Sequence, residues 1–249
     1  MRPVAAFLCL VSACLMVPAG APKASTLVAD LSRHLVAIST GFAGTDVLLF
    51  GATEGKGDVV VIVRGPDRPV VVHRKSRVLG VWVNTAKMTF DRAPSFYAIA
   101  SSRPLAEIAP STVLAREEMG LDKLRLELTR AKASANVARE WRAGLIRNHE
   151  AQDLYSAEVG RVTFLGNRLF QARFKLPANV HTGTYQAKVF HLQEGRVVSA
   201  QTIPLQVSKV GLEADIYDFA YQHSALYGMI AILVALMAGW AAHLAFRKA

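Results

Sequence analysis

The sequence contains little cysteine, and what it has lies in one place. Cys9 and Cys14 are the only cysteines, and both lie in the apolar stretch 4–17, which follows a basic start and precedes small residues. This pattern is typical of a secretory leader. We predict a signal peptide over residues 1–24, with lipidation at Cys14 and an uncleaved N-terminal anchor as alternatives. Removing the leader excludes structural disulfides, thiol catalysis and cysteine metal ligands from the mature chain.

Charged residues are absent from a long stretch near the C-terminus. Residues 225–246 read ALYGMIAILVALMAGWAAHLAF, without Asp, Glu, Lys or Arg. At about 1.5 Å rise per residue, this length crosses a hydrocarbon core of about 30 Å. We predict a transmembrane helix there, a juxtamembrane linker at 213–224, and a short cytoplasmic tail at 247–249. Arg247 and Lys248 favour this orientation because cytoplasmic flanks are enriched in basic residues.

Catalytic motifs are lacking as well. The loop 51–57 resembles a phosphate-binding loop, but its glycines are one residue too close and Gly57 stands where Ser or Thr is required. The seven histidines show no metal-ligand spacing, and no serine lies in a nucleophile-elbow motif. We therefore predict no enzyme activity, no cofactor and no metal. The net charge of +10 indicates a basic solvated surface, and export argues against nucleic acid as a partner.

Short strand patterns separated by turns fill the first third of the mature chain. Apolar or β-branched runs at 46–50 and 58–64 flank the loop 51–57, which predicts a hairpin. Further runs, including 77–84, bring the number of strands to about seven. We predict a mainly β fold with an immunoglobulin-like β-sandwich over residues 25–105.

The rest of the soluble part divides into a helical and a second β-rich segment. Residues 106–157 are predicted to be helical, with an amphipathic helix at 133–154. Residues 158–212 return to strands, and 169–176 alternate apolar and polar side chains as a half-buried strand does. We predict a C-terminal β domain over 158–212. The alternative is that these strands complete the first sheet, with the helices as an insertion.

Two sets of residues are candidates for interaction. Small residues recur every four positions in the apolar helix and would let another helix approach, although alanine-rich membrane helices are common: Ala231, Ala235 and Gly239. Basic residues in the first β segment would bind a small anion or a lipid headgroup, with a charged strand edge as the ordinary alternative: Arg64, Arg74, Lys75 and Arg77.

Several short segments together resemble an alphaproteobacterial family of transmembrane proteins of unknown function. They are residues 27–32, 57–61, 63–66, 74–78, 81–84, 94–98, 102–105, 162–166, 176–180, 183–185 and 217–220. The resemblance covers nearly all of the mature chain. It implies an exported protein held at a membrane, and it implies no activity or catalytic residues.

From these observations we predict a single-pass protein of the bacterial inner membrane, with most of the chain in the periplasm. The favoured function is a non-enzymatic accessory protein that contacts the lipid bilayer and supports another inner-membrane protein. One alternative is a periplasmic binding module for a small anion or lipid headgroup. The other is an enzyme whose site is assembled only by the fold.

Overall fold

The computed structural model describes residues 27–128 and 135–246. The predicted signal peptide and the predicted tail at 247–249 lie outside these residues. The strands are β1 (Leu27–Leu31), β2 (Leu35–Ile38), β3 (Thr45–Thr53), β4 (Asp58–Arg64), β5 (Asp67–Val78), β6 (Val81–Pro94), β7 (Tyr97–Ser101), β8 (Glu127–Leu128), β9 (Gly160–Leu165), β10 (Leu169–Leu176), β11 (Gly183–Gln193) and β12 (Arg196–Lys209). The helices are α1 (Leu105–Ile108), α2 (Ser111–Arg116), α3 (Ala135–Glu150), α4 (Leu212–Gln222) and α5 (Ser224–Phe246), with a 3₁₀ turn at Leu121–Lys123.

Nine strands form one curled sheet in the order β1-β3-β10-β9-β7-β4-β11-β12-β2. Neighbours are antiparallel except for the parallel pairs β7–β9 and β12–β2. The curl brings β1 back to β12, where the Ala29 backbone N–H donates to Gln201 Oε1 at 2.8 Å and Gln201 Nε2 donates to Ala29 O at 3.1 Å. The apolar side chains on the concave face close into one core. The mainly β class is confirmed, whereas the immunoglobulin-like detail is not.

Strands from both β-rich segments alternate in this sheet. The first-segment strand β3 pairs with β10 of the second, and β4 pairs with β11. A separate sheet for residues 158–212 is therefore not formed among the described strands, and the second segment completes the first sheet. The expected hairpin between β3 and β4 is also wrong, because β3 pairs with β1 and β10 while β4 pairs with β7 and β11.

Strand β10 has one face exposed to solvent and one face buried in the core. Its side chains alternate as predicted, with Phe170, Ala172, Phe174 and Leu176 buried in the concave core. Successive side chains of a strand point to opposite faces, so the apolar residues enter the core while the polar residues between them face solvent. Strands β4 and β7 are instead buried on both faces.

A second core covers the convex face of β4, β7 and β11. Ile62, Ile99 and Phe190 from these strands pack with Trp141 and Leu145 of α3 and with side chains of the shorter helices. The predicted amphipathic helix at 133–154 is present as α3, with these two residues on its buried face. The helical segment thus forms a lid over the central strands.

Strands β5 and β6 form a long hairpin in a separate three-stranded sheet with β8. The register runs from Asp67 opposite Pro94 to Val78 opposite Val81, and Leu79 and Gly80 form the turn. The expected strand at 77–84 is wrong, since this turn divides it. Both turn residues have positive φ, 49° and 88°, which is the backbone of a type I′ hairpin turn.

The last described residues form two helices. Helix α4 occupies most of the predicted juxtamembrane linker, and α5 coincides with the predicted membrane helix. Among the described residues one helix is long and apolar enough to cross a membrane, over Ser224–His243, and none of that stretch is buried.

Candidate functional site

The described residues offer three candidate surfaces: the apolar helix α5, an apolar groove on the β sheet, and the basic side chains of β4 and β5. Helix α5 places Ala231, Ala235 and Gly239 in line on one face, each separated by four residues or about 6 Å along the axis. All three are exposed, and a Cβ added at Gly239 would meet no described atom within 4 Å. The role of these residues in helix contact stays a prediction.

The apolar groove lies on the convex face of β1, β3, β10 and β9. Val28, Ala52, Leu169 and Leu165 stand opposite one another across the four strands. Phe50 lies in the neighbouring row, and the groove has a volume of about 410 Å³ with an almost wholly apolar lining. Val28, Leu165 and Leu169 are each more than half exposed. Sequence analysis missed this surface because a cross-strand row is not visible in any one strand.

The four basic residues predicted to bind an anion do not form one site. Arg64 lies half-buried on β4, where it donates to Asp67 Oδ1 at 2.8 Å and forms an ion pair with Glu118. Burial acts to lower the pKa of Arg64, but the two carboxylates outweigh it and raise the pKa above its ordinary value. The guanidinium is thus a permanent cation whose partners belong to the protein itself.

Arg74 is also engaged within the protein. Its Nη2 lies 2.8 Å from Glu140 Oε2, and its guanidinium lies 4.9 Å from the centre of the Trp141 ring. Both partners belong to α3, so Arg74 attaches the middle of the β5–β6 hairpin to the helical layer. Such stacked and paired arginines contribute packing as well as charge.

Lys75 and Arg77 are the two predicted residues that remain on an open surface. Both are exposed on β5 beyond the α3 contact. They stand opposite Asn84 and Trp82, so they share one face of the hairpin. Arg77 Nε donates to the turn carbonyl of Gly80 at 3.2 Å. The anion-binding role of the set stays a prediction, and the structure divides the set into three locations.

A polar cleft of about 390 Å³ surrounds Arg64. At its floor the buried Tyr97 hydroxyl donates to Glu118 O at 2.7 Å and accepts from the Gly120 N–H at 2.8 Å. Burial raises the pKa of Tyr97, so the phenol stays protonated. Glu118 has a positive φ of 55°, and these hydrogen bonds hold its loop in that conformation. The cleft joins the α2 segment to the central strands, an arrangement that sequence spacing could not reveal because Arg64 and Glu118 are far apart in the chain.

Two histidines in the described part of the chain, His149 and His181, lie close enough to interact electrostatically. Burial lowers the pKa of His149, His181 and His191, so all three favour the neutral form. His34 Nε2 lies 2.8 Å from Asp30 Oδ1 in a local surface pair. Across residues 27–128 and 135–246, no group of three His, Cys, Asp or Glu side chains converges to hold a metal ion.

A curled β body joined through α4 to one exposed apolar helix defines the class as a single-pass membrane protein with an extramembrane β region. The chain belongs to the family described as "Putative transmembrane protein (Alph_Pro_TM)", whose model matches residues 26–248. The resemblance found in the sequence is thereby confirmed. No curated protein matches the chain.

Proposed function

We propose that this protein is a non-catalytic accessory protein of the bacterial inner membrane. Its β region lies in the periplasm, its C-terminus lies in the cytoplasm, and it binds another inner-membrane protein. The basic residues that follow α5 in the sequence support this orientation through the positive-inside bias. The absence of catalysis is supported by the charged cleft, where Arg64 is held by carboxylates of the protein.

The observation that carries the proposal is the apolar groove on β1, β3, β10 and β9. Contact between water and a continuous apolar surface is unfavourable, and such patches mark interaction sites. The volume of about 410 Å³ suits a few apolar side chains from a partner's extramembrane segment. Helix α5 holds the groove close to other membrane proteins, and its face of Ala231, Ala235 and Gly239 supplies a second contact.

Purification from native membranes in mild detergent tests the proposal. We expect the same membrane protein to co-purify with the parent chain and to be lost with Leu169→Asp. Val198→Asp is the matched control, since Val198 is also an exposed apolar residue but lies on β12, outside the groove. A parent chain that purifies alone, or equal retention by both variants, would refute groove binding.

The helix contact is tested separately. Gly239→Leu places a large side chain on the small-residue face, whereas Ala241→Leu, two positions further along, places it on a different face of α5. We expect only Gly239→Leu to weaken recovery of the partner. Equal recovery with both variants would exclude this face from the interface while leaving groove binding untouched.

A second candidate function is binding of a small anion or lipid headgroup by Lys75 and Arg77. It is favoured because these two cations share an exposed face of the hairpin. Inorganic phosphate is the first probe, in a thermal unfolding assay on the full chain in detergent. Stabilisation by phosphate that disappears with Lys75→Ala/Arg77→Ala supports anion binding; equal stabilisation of both chains contradicts it.

A further inference from the structure

We propose that the tip of the β5–β6 hairpin inserts into the lipid bilayer, as a second membrane contact beside α5. This inference rests on the second candidate function, because the same hairpin carries Lys75 and Arg77. It goes further by assigning the binding energy to apolar residues at the tip and by naming the bilayer as the occupant.

The tip exposes more apolar surface than a soluble turn needs. Leu79 is 100% exposed, Trp82 66% and Val81 63%, and Val78 and Val83 are also exposed. A Cβ added at Gly80 would meet no described atom within 4 Å. Five apolar side chains in six consecutive positions therefore keep between 40% and 100% of their surface exposed.

The turn itself does not require this composition. The β11–β12 turn has the same backbone, since Glu194 and Gly195 have φ of 50° and 76° where Leu79 and Gly80 have 49° and 88°. Positive φ disfavours side chains that cannot bond locally, and Asn, Asp or Gly normally occupies the first position. One of two equivalent turns carries a charge and the other carries leucine. The leucine is explained by what it contacts outside the protein.

The two faces of the hairpin match the layers of a membrane surface. Ser76 and Val78 pair with Val83 and Val81 on one face, while Lys75 and Arg77 pair with Asn84 and Trp82 on the other. At about 3.4 Å per residue, Arg77 lies about 7 Å and Lys75 about 14 Å behind Leu79. Interfacial elements bury their apolar side about 5–10 Å deep, with Trp and basic residues at the headgroups.

The middle of the hairpin contacts the helical layer, and the tip extends beyond this contact. Arg74 is bound to Glu140 and stacked on Trp141, and Leu79 lies five residues, or about 17 Å of strand, beyond it. Insertion needs no unfolding of the β region. The unpaired edges of a two-stranded ribbon limit the depth to the headgroup and acyl boundary, because open strand edges are not tolerated in hydrocarbon.

Depth-dependent quenching tests the inference on the full chain. Leu79→Cys and Glu194→Cys are labelled with bimane in a Cys9→Ser/Cys14→Ser background and reconstituted into phosphatidylethanolamine and phosphatidylglycerol vesicles containing brominated lipid. We expect about twofold quenching of the label at position 79 and none at position 194. The two sites share one turn geometry, so the comparison isolates contact with lipid.

Each outcome bears on a different part of the inference. No quenching at position 79 overturns bilayer insertion. A label that is shielded in native membranes but unquenched in lipid vesicles also overturns it and indicates a protein partner. With Lys75→Ala/Arg77→Ala we expect about fivefold less insertion per charge removed in anionic vesicles. The quenching at position 79 can also be the same in the double variant and in vesicles of neutral phosphatidylcholine. That result supports insertion of the tip but refutes recognition of anionic headgroups.

Discussion

The hydrogen bonds of the Tyr97 hydroxyl allow a quantitative prediction of the loss of stability when they are removed. Tyr97 and Tyr155 are both buried, and their rings meet edge to face with centroids 6.3 Å apart. Tyr97 makes two hydrogen bonds, to Glu118 O and from the Gly120 N–H, whereas the Tyr155 hydroxyl makes one, to Pro94 O at 2.8 Å. Changing either residue to Phe keeps the ring and removes only these bonds.

A buried polar group left without its partner costs about 1–2 kcal/mol. Tyr155→Phe leaves one backbone group without its hydrogen-bond partner, so it should lower the free energy of unfolding by about 1–2 kcal/mol. Tyr97→Phe leaves two such groups, so it should lower the free energy of unfolding by about 2–4 kcal/mol. The shared surroundings cancel most differences in ring packing. The ratio between the two losses is therefore more informative than either value alone.

Urea unfolding of the full chain in detergent micelles measures both losses, with Trp fluorescence as the signal. Trp141 reports on the core that contains both tyrosines, whereas Trp82 lies on the exposed hairpin and Trp240 lies on α5 within the micelle. Burial raises the pKa of both phenols, so the donors stay protonated at the assay pH. Equal losses, or a larger loss for Tyr155→Phe, would refute the assignment of two bonds to Tyr97.

Three further predictions concern packing, charge and pH, and urea unfolding measures each. Gly51→Ala should cost about 1–3 kcal/mol or more, because its Cβ would lie 2.5 Å from the β1 backbone; an unchanged midpoint would contradict this. Arg64→Met should cost about 1–2 kcal/mol, because Asp67 loses its ion pair and Glu118 keeps only the longer contact of 3.7 Å with Arg125 Nε. The exposed Arg116→Met should change stability by less than about 0.5 kcal/mol. Burial lowers the pKa of His149 below its unfolded value, so its contribution is full above about pH 6.5 and is lost as the pH falls below it. His149→Phe should flatten this acid slope, and an unchanged slope would exclude His149 as its source.

Sequence patterns predicted those helices and strands whose buried face is determined by their own residue spacing. The alternation at 169–176 gave β10 with its buried face, and the apolar run at 225–246 gave α5, because in each case the period of one element determines which side chains are buried. The helix α3 was predicted for the same reason. Membership of the transmembrane family was also predicted, from many short segments together.

Pairing between distant strands was not predictable in this way. The sequence between β3 and β4 reads as a hairpin loop, yet the chain crosses there from one part of the sheet to another. The turn at Leu79 and Gly80 was missed because leucine is a poor turn residue, so residues 77–84 read as one strand. The partners of Arg64 lie on separate elements, and only the fold brings Glu118 to it.

Strand β12 has a mechanical consequence for the whole protein. It lies between β11 and β2, and its pairing with β2 joins Leu35 to Gln206, near opposite ends of the β region. Contacts between such distant residues slow folding, because the entropy of closing the long loop between them is lost before the contact forms. β12 is also the last strand before α4 and α5. The strand nearest the membrane helix therefore joins the two ends of the β region. A force that pulls on α5 is transmitted first to β12, where the hydrogen bonds to β11 and β2 resist it.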